Sequence, residues 1–541
     1  MLLLLRPVES EAVIEQRDSC LDFDYLRPDL QRVLERTGLT LDAARPEAVA
    51  RRHAAGGRTA RENVDDLCDA DSFIEYGAFA IAAQKRRRTM DDLVRNTPAD
   101  GMVTGIGTVN AADFGPERSR CAVMAYDYTV LAGTQGFNNH YKKDRLLALA
   151  HRLKLPMVLF AEGGGGRPGD VDAPWVAGLN NHTFSQFAAL SGQVPVIGVV
   201  HGRCFAGNAA LLGCADVIIA TEAANIGLGG PAMIEGGGLG VFRPEEIGPA
   251  ADLNRNGVID ILVPEERAAV AAARQYLSYF QGRMPSWNAA DPHALRHLVP
   301  ENRVRVYDMR AVVHALADTG SVLELRAGFG LGMITALARI EGRPLGIFAN
   351  NPHHLGGAID PEAADKAARF MQLCDAHHLP LVSLCDTPGF MVGPEVERQA
   401  QVRHACRMFV TAAHLGVPCF TVVVRKGYGL GAQAMAVGGF DAPVFTIAWP
   451  TGEFGPMGLE GAVKLGFRKE LEAAAPGPER TALYDRLVAQ QYANGSAINM
   501  ATGLEIDAVV DPAETRSWLL RGLDSAARQP RATMARFVDC W

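Results

Sequence analysis

The chain has 541 residues, 48% apolar and 21% charged, with a formal net charge of −8. This is ordinary soluble globular composition, long enough for roughly two to four domains. The acidic balance argues against wholesale nucleic-acid binding, so an anionic ligand has to be met by a local basic patch or by helix N-termini. Ten cysteines, at 20, 68, 121, 204, 214, 374, 385, 406, 419 and 540, include no CxxC pair. They read as reduced, buried thiols of a cytoplasmic protein, and no metal site is predicted. No apolar run reaches membrane-spanning length, and MLLLLRPVES is too short for the apolar core of a signal peptide.

Residues 1–60 predict a helical extension. Two stretches, 61–285 and 286–541, then follow one plan. Each carries a helix (YKKDRLLALAHRL; PEAADKAARFMQLCDAHH), a short apolar strand (PMVLFA; PLVSLC), a second helix and a second strand (VPVIGVV; VPCFTVVV). Pro156 matches Pro380, Pro195 matches Pro418 and Phe205 matches Tyr428, all at an almost constant offset. Upstream, GMVTGIGTVN at Gly101 matches GMITALARIE at Gly332 at a longer offset, which predicts a longer hairpin loop around AADFGPERS. So regular a spacing predicts two similar domains. The boundary falls near MPSWNAADPH (284–293), and the tail from Leu487 docks as helices and a strand. Strands this uniformly apolar need helices on both faces, so the class is α/β with a mostly parallel buried sheet in each half. Ligands then belong at the C-terminal strand ends, where the glycines are.

Those ends read CFAGNAALLG and GYGLGAQAMAVGG. Neither they nor EGGGGRPG give a P-loop, which needs GxxxxGK and then Ser or Thr, and a dinucleotide GxGxxG is absent too. Two uses remain. One is close packing of helix on strand. The other is an oxyanion hole, in which the first amides of a helix hold a developing negative oxygen. Two such corners at equivalent places suggest two charged oxygens in one reaction.

Further segments carry a resemblance: GGRTARENVDDLCDADSFIEYGAF, ADGMVTGIGTVN, GRPLGIFANNP, DTPGF, VVRKGYG, AWPTGEFGPMGLEGAV and IDAVVDPAETR. In that order they resemble the carboxyltransferase (β) subunits of biotin-dependent acyl-CoA carboxylases of the propionyl-CoA and methylcrotonyl-CoA type, from about Arg45 to about Arg516. The resemblance implies a tandem pair of crotonase-like domains, each a ββα-type superhelix. It implies transfer of a carboxyl group from N-carboxybiotin, delivered in trans on a carrier, to the α-carbon of an acyl-CoA through a thioester enolate. It places the catalytic amides at Ala206 and Gly207, serving the acyl-CoA, and at Leu430 and Gly431, serving biotin. Each lost donor would cost about 3–4 kcal/mol of barrier. Pro388, Gly389, Phe390, Tyr428 and Gly429 are implied at the biotin side. Gly164, Gly165, Arg167, Lys142, Lys143 and Gln433 are implied at the acyl-CoA side. Lys142 and Lys143 could equally be a solvated helix face. Implied partners are a biotin carboxylase/biotin carrier subunit and further copies of the chain, a dimer at least and a hexamer by family habit.

The chain departs from the family pattern at the corners. Ala206 breaks a usual Gly-Gly pair, Leu430 is bulkier than usual, and Gln433 replaces an acid, which leaves the acyl chain open. No biotin carboxylase region and no AMKM-like biotinylation segment are read. The alternatives are a decarboxylase subunit running the same chemistry backwards, a non-catalytic scaffold, and a hydratase, which would want a glutamate at a glycine corner. DLNRNGVID imitates a calcium loop without its closing glutamate. His201 reads as packed or backbone-bonded, Asp386 as a turn or helix-cap residue, and the DPHALRH and NPHHLGG histidines as turn or surface groups.

Overall fold

The computed structural model describes residues 26–174, 178–526 and 537–541. The N-terminal part of the expected helical extension, and Cys20 with it, lies outside the described residues. Within them, Pro28–Gly38 and Pro46–Ala54 are helices, each opened by proline, whose fixed φ suits the first turn.

The two halves build the same sheet. The first runs Ile74–Glu75, Met102–Thr108, Arg120–Tyr126, Met157–Phe160, Val196–Val200, Val217–Thr221 and Ile261–Val263. The second runs Leu323–Leu325, Met333–Ile340, Arg343–Asn350, Leu381–Thr387, Cys419–Tyr428, Phe445–Ala448 and Ala508–Val509. In both, the first three strands are antiparallel and the rest parallel. Each parallel strand lies beside the one before it, so the chain winds as a superhelix, and the fold is α/β with tandem crotonase-like halves. The hairpin is longer in the first half, where Ala111–Phe114 and Pro116–Ser119 fill it. The second turns at Glu341 and Gly342, whose φ of 50° and 72° match a two-residue hairpin turn.

Both sheet faces are buried. Val158 and Phe160 face one core with Val123, Ile197 and Ile219, while Met157 and Leu159 face another with Leu146 and Phe187. The first of these cores is shared: Phe348, Phe370, Leu381 and Val423 of the second half belong to it. The MPSWNAADPH stretch lies in sequence between the sheets, but the halves are welded by packing and not merely linked. Asp260 pairs with Arg326 at 3.0 Å, and His377 Nε2 meets Asp216 at 2.9 Å. The tail contributes the Pro478–Asn494 and Ala497–Thr502 helices and the last sheet strand. No helix of the described residues is long and apolar enough to cross a membrane.

Two expectations are corrected. Cys406 and Cys540 are exposed, Cys406 on the outer side of the Gln401–Ala412 helix. Asp386 caps no helix. It is fully buried and accepts from Tyr307 Oη at 2.8 Å and the Lys426 amide at 3.1 Å, with Arg425 at 3.1 Å. The DLNRNGVID stretch, whose likeness to a calcium loop already fails at its closing position, starts in the Ala250–Arg255 helix, where Asp252 pairs with Arg255, and ends at buried Asp260.

Candidate active site

Both glycine corners form where a strand stops and a short helix starts. In the first, Arg203–Phe205 sits in a three-stranded parallel side sheet between Gly163–Gly164 and Asn225–Gly227. The chain then turns at Ala206, with φ 53° and ψ −125°, into the Gly207–Leu212 helix. In the second, Cys419–Tyr428 turns at Gly429, φ 56°, into the Gly429–Met435 helix. Ala206 and Gly429 each directly follow one of the matched pair Phe205 and Tyr428, and they share the same unusual φ. The alanine holds a conformation suited to glycine.

This register corrects the expected amide pairs. Ala206 N–H donates to Gly227 O at 2.9 Å, continuing the side-sheet ladder, so that amide is engaged. The helix beyond it leaves the first-turn amides of Gly207 and Asn208 without intrahelical acceptors. Their equivalents are Leu430 and Gly431. The expected pairs, Ala206–Gly207 and Leu430–Gly431, are therefore one residue out of step.

Each corner is backed by the glycine-rich turn after the preceding parallel strand. Gly165 N–H donates to Phe205 O at 3.3 Å, and a Cβ on Gly165 would meet the Ala206 methyl at 3.3 Å. Gly164 pairs with Phe205 in the side sheet. In the second half Pro388, Gly389 and Phe390 form the matching turn. A Cβ on Gly431 would stand 2.7 Å from the Gly389 backbone and 3.0 Å from Phe390 N. Only glycine fits there, because backbone meets backbone. Tyr428 is buried with its hydroxyl on Glu453 at 2.9 Å, and burial holds that phenol well above its usual pKa. Leu430 is 63% exposed.

A cavity of about 710 Å³ opens beside the second corner, lined by Gly429, Gln433, Phe440, Phe454, Met500 and Leu504 among others. All its lining residues fall in the second half, so within one chain the first corner does not open into it.

The expected basic residues are placed otherwise. Lys142 is buried and donates to Ala99 O at 3.1 Å and Met102 O at 2.5 Å. Lys143, with no exposed surface, donates to Tyr126 Oη and Gln135 Oε1, each at 3.0 Å. Neither forms a solvated face, and neither ammonium reaches a phosphate outside. Arg167 is paired with buried Asp100 and near Asp170. The reason is packing: one side of the Phe137–Leu153 helix lies against the Met102–Thr108 strand and the turn before it.

Sequence reasoning missed two features. Glu162, the first residue of EGGGGR, is a glutamate at a glycine corner. Its carboxylate is buried and held by both terminal nitrogens of Arg52 at 2.7 and 2.9 Å. His201 lies against the same group, with Nδ1 3.3 Å from Glu266 and 3.2 Å from Arg52. It is packed as expected, though on side chains. The second feature is a cavity of about 490 Å³ lined by Arg45, Glu47, Arg51, Arg88, Arg95 and Thr129 among others, in which Arg45 is paired with Asp127, Arg88 with Asp92 and Arg95 with Asp91. The arginine-rich LDAARPEAVARRH segment is its only signal in sequence.

Two crotonase-like halves with register-matched amide corners have the architecture of a carboxyltransferase. The chain belongs to the carboxyl transferase domain family, which matches residues 51–539. It is 33% identical to the methylmalonyl-CoA carboxyltransferase 12S subunit of Propionibacterium freudenreichii subsp. shermanii, over 90% of this chain and 92% of that protein. It is 32% identical to the propionyl-CoA carboxylase beta chain of Saccharopolyspora erythraea, over 91% and 92%. Among solved structures, a single-chain, multi-domain long-chain acyl-CoA carboxylase is 59% identical with a TM-score of 0.88, covering 92% of this chain. This chain spans 49% of that longer one. The transcarboxylase 12S structure with methylmalonyl-coenzyme A bound, described as a hexamer, gives a TM-score of 0.82 at 29% identity, covering 95% of this chain and 99% of that one.

Proposed function

We propose that this chain transfers the carboxyl group of N-carboxybiotin, presented on a biotinylated carrier, to the α-carbon of an acyl-CoA. The observation that carries this is the register match of two first-turn amide pairs, Gly207–Asn208 and Leu430–Gly431, at the ends of equivalent strands. Such amides bind an oxygen more tightly as it gains charge, and they need no reorganisation. The first pair faces the thioester oxygen and holds it as the α-proton leaves. The second faces the ureido oxygen of the cosubstrate, which supplies the carboxyl group and then the base. No side-chain base is required of the protein, consistent with Glu162 being neutralised by Arg52. That engagement also counts against a hydratase.

The departures from family pattern leave the donors in place. Ala206 differs at an amide already engaged by Gly227, and Leu430 keeps its amide in the first turn of the Gly429–Met435 helix. This favours an active subunit over a scaffold. The carboxylating direction fits the named relatives, which are carboxylases and a transcarboxylase, better than a decarboxylase does. Identity of 59% to the long-chain enzyme favours a long acyl chain. With Lys142, Lys143 and Arg167 turned inward, the phosphates of CoA fall to the arginine cavity, where Arg51 has no carboxylate partner among the described contacts. Its Thr129 lies on the loop that reaches Gly133, whose carbonyl accepts from Asn208 Nδ2 at 3.0 Å. The hexameric transcarboxylase supports a homo-oligomer in which corners of two copies face one another.

The test mixes pure protein with carboxylated carrier and a panel of acyl-CoAs, and follows label into product. Carboxylated thioester is expected, greatest for long chains, with Gln433→Asp shifting the chain-length preference. Absence of product on every thioester would refute the proposal. A change of rate alone in the variant would remove Gln433 from the acyl pocket.

A further inference from the structure

The internal repeat serves as its own control for which buried polar groups the fold requires. Lys142 and Lys366 occupy matching positions on equivalent helices, at the same offset as Pro156 and Pro380. Lys142 donates to Ala99 O and Met102 O. Lys366 donates to Arg326 O at 2.7 Å and Phe329 O at 2.9 Å. Ala99 and Arg326 both have φ 54°, so each lysine staples the same left-handed turn ahead of the same hairpin. That pair belongs to the fold.

Lys143 has no such counterpart. Its equivalent is Ala367, which is fully buried. The groups around Lys143 are also replaced: Tyr126 by Asn350, Gln135 by Ile359 and Asn208 by Gly431. The second half thus builds the same helix, strand and corner without this network. In the first half the network is continuous. Lys143 Nζ donates to Gln135 Oε1, Gln135 Nε2 donates to Asn208 Oδ1 at 2.9 Å, and Asn208 Nδ2 donates to Glu162 O at 2.7 Å. Gln135 Nε2 sits 2.7 Å from where a Gly207 Cβ would be, directly beneath the corner. No carboxylate touches the ammonium among the described contacts, and burying an ammonium without one is costly.

We propose that Lys143, acting through Gln135 and Asn208, is a positioning residue that tunes the first amide corner toward a negatively charged thioester oxygen. This rests on the reading of that corner as the acyl-CoA site. The ammonium sends its charge along two polarised side-chain amides, Gln135 and Asn208, both buried, where low dielectric strengthens the effect, to a corner that is itself half-buried. The other groups facing it are Tyr126 from the strand, the Asp100–Arg167 pair from the flanking turns, and Asp144 and His140 from its own helix. Burial brings Lys143 to about 7, so a nearby anion decides its charge at neutral pH.

The test compares two CoA thioethers, one bearing a nitronate in place of the thioester enolate and one bearing a neutral ketone. Wild type is expected to prefer the nitronate, and Lys143→Met to lose about tenfold of that preference while its affinity for free CoA holds. The Tm of this variant should stay level or rise, because a costly buried charge is gone. Lys366→Met should lower Tm and leave the preference intact. Gln135→Leu, which breaks the chain one link later, should lose the preference too, and it decides the matter if Lys143→Met does not fold. A retained preference in Lys143→Met overturns the proposal, as does one lost only together with CoA affinity and Tm. Wild type binding neither thioether nor free CoA would instead remove the acyl-CoA reading of the corner, and this proposal with it.

Discussion

Ala206 and the buried lysines carry the sharpest expectations at the scale of single residues. A non-glycine residue at φ 53°, ψ −125° stores strain of roughly 1–3 kcal/mol. Ala206→Gly should therefore stabilise the chain by about 1 kcal/mol, after the greater freedom of glycine in the unfolded state is set against it. Chemical denaturation measures this, and a loss of stability would show that the neighbours accommodate the alanine without strain. Lys143 gives a pH signature. Its folded pKa, about 7, lies below the ordinary 10.5, so the unfolded chain holds more protons between those values. The burden of the buried charge is greatest below pH 7 and fades as pH climbs toward 10.5. The stability gained by Lys143→Met over wild type should shrink steadily across that window in parallel melts, and a constant gap would contradict the burial. Sequence alone misread this residue because helix periodicity does not say which face meets a strand and which meets water.

Among elements, the strand–turn–helix corner was legible and its wiring was not. Glycine density at strand ends, repeated at the same offset in both halves, marked both corners. That the Ala206 amide is engaged depends on Gly227, in a strand formed later in the chain, and no local pattern announces such a partner. The Glu162 carboxylate was invisible for a similar reason, since Arg52 arrives from a helix 110 residues upstream. Gly431→Ala tests the tightness of the second corner. Its methyl would collide with the Gly389 backbone, driving helix and turn apart, and kcat should fall about 10²-fold or more. Near-normal turnover would mean that those amides play no part. For the arginine cavity, Arg51→Ala should raise KM for an acyl-CoA severalfold with kcat preserved, and leave an acyl-pantetheine unaffected. An equal effect on both substrates would take the CoA phosphates elsewhere.

For the molecule as a whole, the duplicated plan was readable because nearly constant offsets survive the divergence between halves. The longer first hairpin appeared as a change in offset before it appeared as two short helices. The shared core was not readable, since Phe348 and Val123 look like ordinary strand residues until they meet in one cluster. The cavity at the second corner draws only on the second half, so the proposed transfer needs the first corner of another copy beside it. Proline at a first helical turn removes one amide with little harm to the helix. Gly207→Pro and Leu430→Pro should each cost about 10²–10³-fold in kcat by deleting one donor. The most direct measurement mixes these two inactive proteins, lets subunits exchange, and assays carboxyl transfer. Sites shared between copies should restore roughly a quarter of wild-type activity, since that share of interfaces pairs two intact corners. Mixtures as inactive as either parent, with exchange confirmed, would contradict a site built from corners of two subunits.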